Sequence, residues 1–175
     1  MEAPRRDASL MLQIAGPVRM ALPAPHLIPG SPSGDDDRYA DFCDRFAGLL
    51  REMRDAGTHG HILHAAEGIP LEDERLESRR TRFIAPDGNQ AVQEQLLEFQ
   101  ETIILTRTRL PLLPALADQY TIREVTIIDP APPDYASVMQ ILDPDQIVAG
   151  GYGTGSEREY WAGLAGMAEV PVQAG

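Results

Sequence analysis

The chain contains no lysine. Its positive charges are 15 arginines, and they are outnumbered by 27 acidic side chains among 175 residues. The formal net charge of −12 argues against a general binder of nucleic acids or anionic membranes, because both surfaces are negative and repel the chain. No run reaches the roughly 18 apolar residues of a membrane span. The 43% hydrophobic content supports a folded core, so we expect one small domain rather than wholesale disorder.

Cysteine occurs once, at Cys43, which excludes an intramolecular disulfide framework. The residue falls on the apolar stripe of a predicted helix, beside Tyr39 and Phe46, and no candidate base lies near it in sequence. We therefore expect a small buried side chain rather than a nucleophile.

An apolar segment near the N-terminus, Ser9 to Leu22, is the stretch that most resembles a secretion signal. Asp7 precedes it, Gln13 interrupts it and no small-residue cleavage pattern ends it, so we expect no secretion by a recognisable signal. Its alternating apolar side chains around a Gly-Pro turn predict two short strands. The residues that follow, Pro23 to Asp37, predict an extended arm, because proline neither continues a helix nor donates to a sheet.

Two long amphipathic helices are predicted, from Asp36 to Ala56 and from Gln90 to Leu110. Thr102 to Arg109 also alternates like a strand, which leaves an earlier end of the second helix open. The whole pattern predicts a small mixed α+β domain with a few short strands and extended proline-rich arms. The shorter predicted elements are helical turns at Leu112–Gln119, a strand at Thr121–Ile128, a helix from Asp134, a strand at Gln146–Ala149 and a helix at Ser156–Ala168.

Composition divides the chain into three segments. Residues 1–37 hold the strand pair and the Pro/Gly-rich arm, residues 38–149 form the α+β core, and residues 150–175 form a glycine-rich linker and a C-terminal docking helix. No internal repeat is evident, so the segments are expected to differ in structure.

Three of the four histidines fall within six positions, with a carboxylate close behind them. His59 and His61 would share one face of a strand, whereas His61, His64 and Glu67 would share one face of a helix. Either arrangement could bind zinc or another divalent metal, with Glu67 as a ligand or base. No motif fixes this geometry, so a histidine-bearing strand or loop without metal is the favoured interpretation and a metal site the alternative.

A glycine-rich turn, Gly150 to Ser156, lies between a predicted strand and the last predicted helix. Such a turn can bind an anion through free backbone amides. Its spacing is not that of a dinucleotide-binding loop, and a Walker loop needs the lysine that this chain lacks. A connector that lets the last helix dock is therefore the favoured interpretation.

Two groups of side chains are candidates for contacts with other subunits. Arg79, Arg80 and Arg82 could pair with carboxylates of an acidic neighbour, although a solvated surface with internal ion pairs is the first interpretation. The last predicted helix has an apolar side that includes the only tryptophan, and we expect it to dock on a neighbouring subunit. This side consists of Tyr160, Trp161, Leu164 and Met167.

No catalytic constellation is recognisable, since Ser-His-Asp, Cys-His and paired-carboxylate patterns are missing. We expect a non-enzymatic structural or assembly subunit of a larger oligomer, with protein partners and without a cofactor, nucleic acid or membrane. A bacteriophage head or tail component is the leading version, located in a virion; otherwise the protein is expected in the cytoplasm. The alternatives are a divalent-metal enzyme that uses His59, His61, His64 and Glu67, and a small accessory protein with one partner.

Overall fold

A computed structural model describes most of the chain: residues 19–32, 34–76, 78, 80–151 and 157–168, apart from the side chains of residues 157–158, 161 and 167–168. Contacts divide the chain into two compact units, one through Ile84 and one from Ala85 onward. Each unit contains a three-stranded parallel sheet whose strands follow chain order. The predicted mixed α+β class is confirmed by these sheets together with six α-helices in the described residues.

In the first unit, helices connect the strands of the sheet, as parallel strands require because a tight hairpin cannot join them. The middle strand pairs with both neighbours, so that Met20, His61 and Thr81 lie side by side across the sheet. The elements are β1 (Arg19–Pro23), a 3-10 turn (Pro25–Leu27), α1 (Asp36–Asp55), β2 (Gly60–His64), α2 (Pro70–Leu76) and β3 (Thr81–Ile84).

The long helix α1 lies where the sequence predicts it. Asp35 caps its start, because the side-chain oxygen accepts a hydrogen bond of 3.1 Å from the Arg38 amide. Cys43 is completely buried in its apolar stripe, and burial, followed by the charge of Glu72, raises the pKa of the thiol to about 11. A buried thiol with a raised pKa is a packing residue rather than a nucleophile. The stripe consists of Tyr39, Cys43, Phe46, Leu50 and Met53.

In the second unit, the strand Glu124–Ile128 is central and pairs with Thr102–Thr106 on one side and with Ile147–Gly150 on the other. A cluster of buried aliphatic side chains forms its core: Leu97, Ile103, Leu105, Leu113, Leu116, Ile122, Val125, Ile127 and Val138. The elements are α3 (Gln90–Leu97), β4 (Thr102–Thr106), a 3-10 segment (Arg107–Leu112), α4 (Leu113–Gln119), β5 (Glu124–Ile128), α5 (Pro132–Val138), a 3-10 turn (Pro144–Gln146), β6 (Ile147–Gly150) and α6 (Glu157–Ala168).

The second predicted long helix is shorter than the sequence suggested. It ends at Leu97, and the strand alternative is realised as β4. Ile103 and Leu105 are almost completely buried, whereas the residues between and beside them are half-buried. This segment therefore forms a strand rather than a continuation of the helix, because the strand places two aliphatic side chains in the core.

The proline-rich segment begins packed against its own unit. Ala24 is completely buried, and its amide donates a hydrogen bond of 2.7 Å to the carbonyl of His64. Of the two predicted N-terminal strands, the second corresponds to β1, whereas the first lies outside the described residues. The three-segment division, with boundaries after residues 37 and 149, stays a prediction. Among the described residues, no helix is both long and apolar enough to cross a bilayer.

Candidate functional site

Polar side chains gather at the carboxyl ends of the strands in both units, where open α/β sheets bind their ligands. The His26 cluster in the first unit consists of His26, Tyr39 and Glu72. The carboxyl-end cluster in the second unit consists of Asp87, Thr106, Arg107, Arg109, Asp129, Asp134 and Tyr160.

In the His26 cluster, the carboxylate of Glu72 is the shared acceptor, although only 1% of this residue is exposed. It accepts hydrogen bonds from the backbone amide of His26 at 2.7 Å, from Nδ1 of His26 at 3.0 Å and from the hydroxyl of Tyr39. These donors compensate the loss of solvent around the buried carboxylate. Burial, followed by the hydrogen bond and charge of Glu72, raises the pKa of Tyr39, so its hydroxyl remains a donor.

The imidazole of His26 has a protein partner at each ring nitrogen. Nε2 accepts a hydrogen bond of 3.1 Å from the Ala66 amide, so the proton of the neutral ring lies on Nδ1 and faces Glu72. A ring in this position has no free lone pair for a substrate proton or a metal ion. The His26 cluster is therefore a structural contact that joins the turn after β1 to α2 and to the loop after β2.

At the end of β4, two arginines follow the strand in the 3-10 segment. Nε of Arg107 lies 2.7 Å from Oδ2 of Asp134, and Nε of Arg109 donates to the carbonyl of Asp87 at 3.0 Å. Thr106 donates a hydrogen bond of 3.0 Å to the carboxylate of Asp87. The end of β4 is thus linked to the turn at Asp87 and to the first turn of α5.

At the end of β5, Asp129 has a φ of +51°, in the left-handed region that few residues other than glycine adopt. Its amide donates to the carbonyl of Gly150 at 2.9 Å, and its Oδ1 accepts a hydrogen bond from the hydroxyl of Tyr160. A Cβ on Gly151 would overlap that hydroxyl and lie 2.7 Å from Oδ1 of Asp129. Glycine is therefore required there for the tyrosine to reach the carboxylate.

Asp134 links the two halves of the carboxyl-end cluster. Besides the ion pair with Arg107, its Oδ2 accepts a hydrogen bond of 2.6 Å from the amide of Ala131, in the loop that begins with Asp129. Asp134 thus contacts both the 3-10 segment after β4 and the loop after β5, and Tyr160 of α6 contacts the same loop at Asp129. The side chains of the cluster present carboxylates, guanidinium groups and hydroxyl groups, which together can bind a ligand that carries both acidic and hydroxyl groups.

The four residues of the predicted metal site lie apart from one another. His61 is buried in β2, His64 is half-buried at its end, and His59 and Glu67 are exposed outside the strand. Successive residues of a strand point to opposite faces, so His61 and His64 face away from each other. No group of three or more His, Cys, Asp or Glu side chains that could hold a metal ion occurs in the described part of the chain.

His61 is completely buried, and neither ring nitrogen has a hydrogen-bond partner among the described residues. Burial, followed by the charge of Arg54, lowers the pKa of His61 to about 4. The ring is therefore neutral at physiological pH.

The predicted interface residues fall into three groups. Tyr160 is half-buried in the contact with Asp129, and Leu164 is buried. Arg80 is exposed and Arg82 is half-buried. In the last group, Arg79 as a whole and the side chains of Trp161 and Met167 lie outside the part of the chain that the structure describes.

Sequence reasoning missed both clusters. His26 is the one histidine outside the predicted metal site, and Glu72 belongs to the acidic block that precedes the arginine group. Arg107 and Asp129 each come directly after a β-branched run, and this position is a usable signal, because residues after parallel strands line ligand sites. The signal requires knowledge that the strands are parallel, which the sequence alone did not supply.

Comparison of the chain with protein-family models, with curated proteins and with solved structures finds no match.

Proposed function

We propose that the second unit binds a small hydroxyl-bearing ligand at the carboxyl-end cluster. The observation that carries this proposal is Asp129, an exposed carboxylate at the end of the central strand, held by the hydroxyl of Tyr160. A carboxylate accepts hydrogen bonds only, so its partner in a ligand is a hydroxyl or amino group.

The position of Asp129 in the sheet supports the proposal. The central strand of a parallel sheet ends between the loops of both neighbouring strands, so a ligand there meets side chains from several loops at once. In this unit Thr106 ends β4 and Arg107 follows it, while Gly150 ends β6 and Gly151 follows it.

The backbone conformation of Asp129 is a second support. A left-handed conformation costs a residue with a side chain about 1 kcal/mol, and such residues concentrate at ligand sites, where the surrounding contacts hold them in place. The Gly150 carbonyl and the Tyr160 hydroxyl supply those contacts here. The arrangement fixes the direction of one carboxylate before a ligand arrives, which lowers the entropic cost of binding.

A calorimetric titration with a panel of small hydroxyl-bearing compounds, neutral, acidic and basic, tests the proposal. For a compound that binds, we expect Asp129→Asn and Tyr160→Phe to weaken affinity by about tenfold, the effect of one lost hydrogen bond to a charged group. Asp118→Asn and Tyr120→Phe make the same chemical changes elsewhere in the second unit. Absence of binding by every compound, or equal losses in these controls, would contradict the proposal.

We also propose a second candidate, the oligomeric assembly subunit expected from the sequence. β6 pairs with β5 on one side only within the described residues, and its Val148 is 40% exposed. An apolar edge strand is a favourable surface for pairing with another chain. Light scattering tests this candidate: Val148→Lys should dissociate the oligomer, whereas Ala91→Lys on the exposed side of α3 should not. A protein that is monomeric at every concentration would contradict it.

A further inference from the structure

We infer that the ligand of the carboxyl-end cluster is a small hydroxylated anion, a phosphate ester or carboxylic acid of a polyol, whose acidic group binds to Arg107 and Arg109. The inference rests on the proposed function and adds the charge of the ligand to it. It is carried by the way in which the two guanidinium groups are held.

Both arginines are fixed through Nε. Arg107 uses this atom for Asp134 and Arg109 uses it for the carbonyl of Asp87, and neither guanidinium makes another hydrogen bond or ion pair with described residues. The terminal Nη groups of both side chains therefore retain their donors. A guanidinium held through one nitrogen loses little further entropy when its remaining donors bind the paired oxygens of a phosphate or carboxylate.

The two arginines belong to one structural segment. They lie two positions apart in the 3-10 segment that directly follows β4, and their Nε partners belong to the first turn of α5 and to the turn at Asp87. Arg107 is 52% exposed at its side chain and Arg109 is half-buried, so solvent reaches Arg107 while its position is fixed. One short 3-10 segment thus carries two guanidinium groups at the end of the strand.

The carboxylates of the cluster determine the rest of the ligand. Asp134 is compensated by Arg107 and by the Ala131 amide, whereas Asp87 and Asp129 each accept a protein hydroxyl and keep further acceptor capacity. An anion without hydroxyl groups has no hydrogen-bond donor for the carboxylates of Asp87 and Asp129. A hydroxylated anion satisfies both kinds of group, because its acid binds the arginines and its hydroxyls donate to the carboxylates.

Four probes separate the parts of this chemistry: glycerol 3-phosphate, glycerate, glycerol and inorganic phosphate. We expect at least one of the two acids to bind more tightly than both glycerol and inorganic phosphate. Arg107→Gln and Arg109→Gln should each weaken that binding about tenfold or more, and Arg107→Lys should weaken it less because the charge is retained. Binding should also weaken with rising salt.

Arg123 is the matched control. Its Nε lies 2.6 Å from Oε2 of Glu101, so it forms the same type of contact at the opposite, amino ends of β4 and β5. Arg123→Gln should leave acid binding unchanged, and the melting temperatures of all variants show whether each one is folded.

Three outcomes would overturn the inference: no binding by either acid, binding of glycerol at equal strength, or equal losses in Arg123→Gln and Arg107→Gln. If neutral or basic compounds bind with sensitivity to Asp129→Asn but not to Arg107→Gln, the inference fails and the proposed function stands. If binding is insensitive to both Asp129→Asn and Arg107→Gln, the inference and the proposed function both fail.

Discussion

Nδ1 of His26 lies 3.0 Å from Oε2 of Glu72, although 46 positions separate the two residues in the chain. The contact joins the proline-containing turn after β1 to the middle of the first unit. Together with the buried Ala24, it explains why a segment so rich in proline begins as part of its own unit. A buried carboxylate with several donors is costly to disturb, because each donor would lose its partner.

Glu72→Gln should destabilise the chain by about 2 kcal/mol, because the new amide group places a donor opposite the proton on Nδ1 of His26. Urea denaturation followed by circular dichroism measures the change. Glu74→Gln, at an exposed position of the same helix, is the matched control and should change stability little. Equal effects of the two substitutions would show that the His26 cluster contributes nothing beyond surface charge.

His61 should make the protein sensitive to acid. Its pKa is about 4 in the folded chain, against an ordinary value of 6.5 for an unfolded histidine. Between these values the unfolded chain binds more protons, so stability should fall as pH falls from about 6.5 to 4, by at most about 1.4 kcal/mol per pH unit. The effect should be absent above pH 7.

The pH series of unfolding free energies should be measured for the native chain, His61→Leu and His59→Gln. Replacement of His61 removes its titration, so the slope between about pH 6.5 and 4 should become shallower in His61→Leu. The exposed His59 should leave the slope unchanged when it is replaced. A slope that persists in His61→Leu would assign the acid sensitivity to the carboxylates instead.

Gly151→Ala should loosen α6, because a Cβ there overlaps the Tyr160 hydroxyl and separates it from Asp129. Hydrogen–deuterium exchange of the α6 amides should rise several-fold. Gly163→Ala is the control, and it should lower the exchange of the α6 amides rather than raise it. The new Cβ would meet nothing within 4 Å, and alanine favours a helix over glycine by about 1 kcal/mol. Unchanged exchange in Gly151→Ala would mean that the Tyr160 contact does not hold the helix.

The sequence predicted the parts of the fold that depend on local chemistry. The first helix, predicted from Asp36 to Ala56, ends within one residue of its predicted end, and α3 begins at the predicted Gln90. The strands β2 and β3 were harder, because His61 and Arg82 interrupt the apolar runs that normally mark parallel strands. For β2 the sequence left strand and helix open, and the structure realises the strand.

The candidate site was harder to predict than the fold. Arg107 and Asp134 are 27 positions apart and meet only because β4 and β5 are neighbouring parallel strands. Asp129 and Tyr160 likewise meet across 31 positions. Single-sequence patterns report on neighbours within a few residues, so they cannot indicate contacts set by strand order. The alternative metal site at the histidines stays a prediction, although strand geometry turns His61 and His64 to opposite faces.

The most direct test of ligand binding by the second unit is an amide chemical-shift map of the full, isotopically labelled chain titrated with glycerol and glycerol 3-phosphate. We expect one or both to shift the amides of the non-proline residues at this edge, and Asp129→Asn to reduce those shifts. These amides belong to Ala85, Asp87, Gly88, residues 106–109, Asp129, Ala131, Asp134, Gly150 and Gly151. Unchanged spectra with both compounds, or shifts confined to the first unit or to the amino ends of the strands at Glu101 and Arg123, would contradict the assignment of the site.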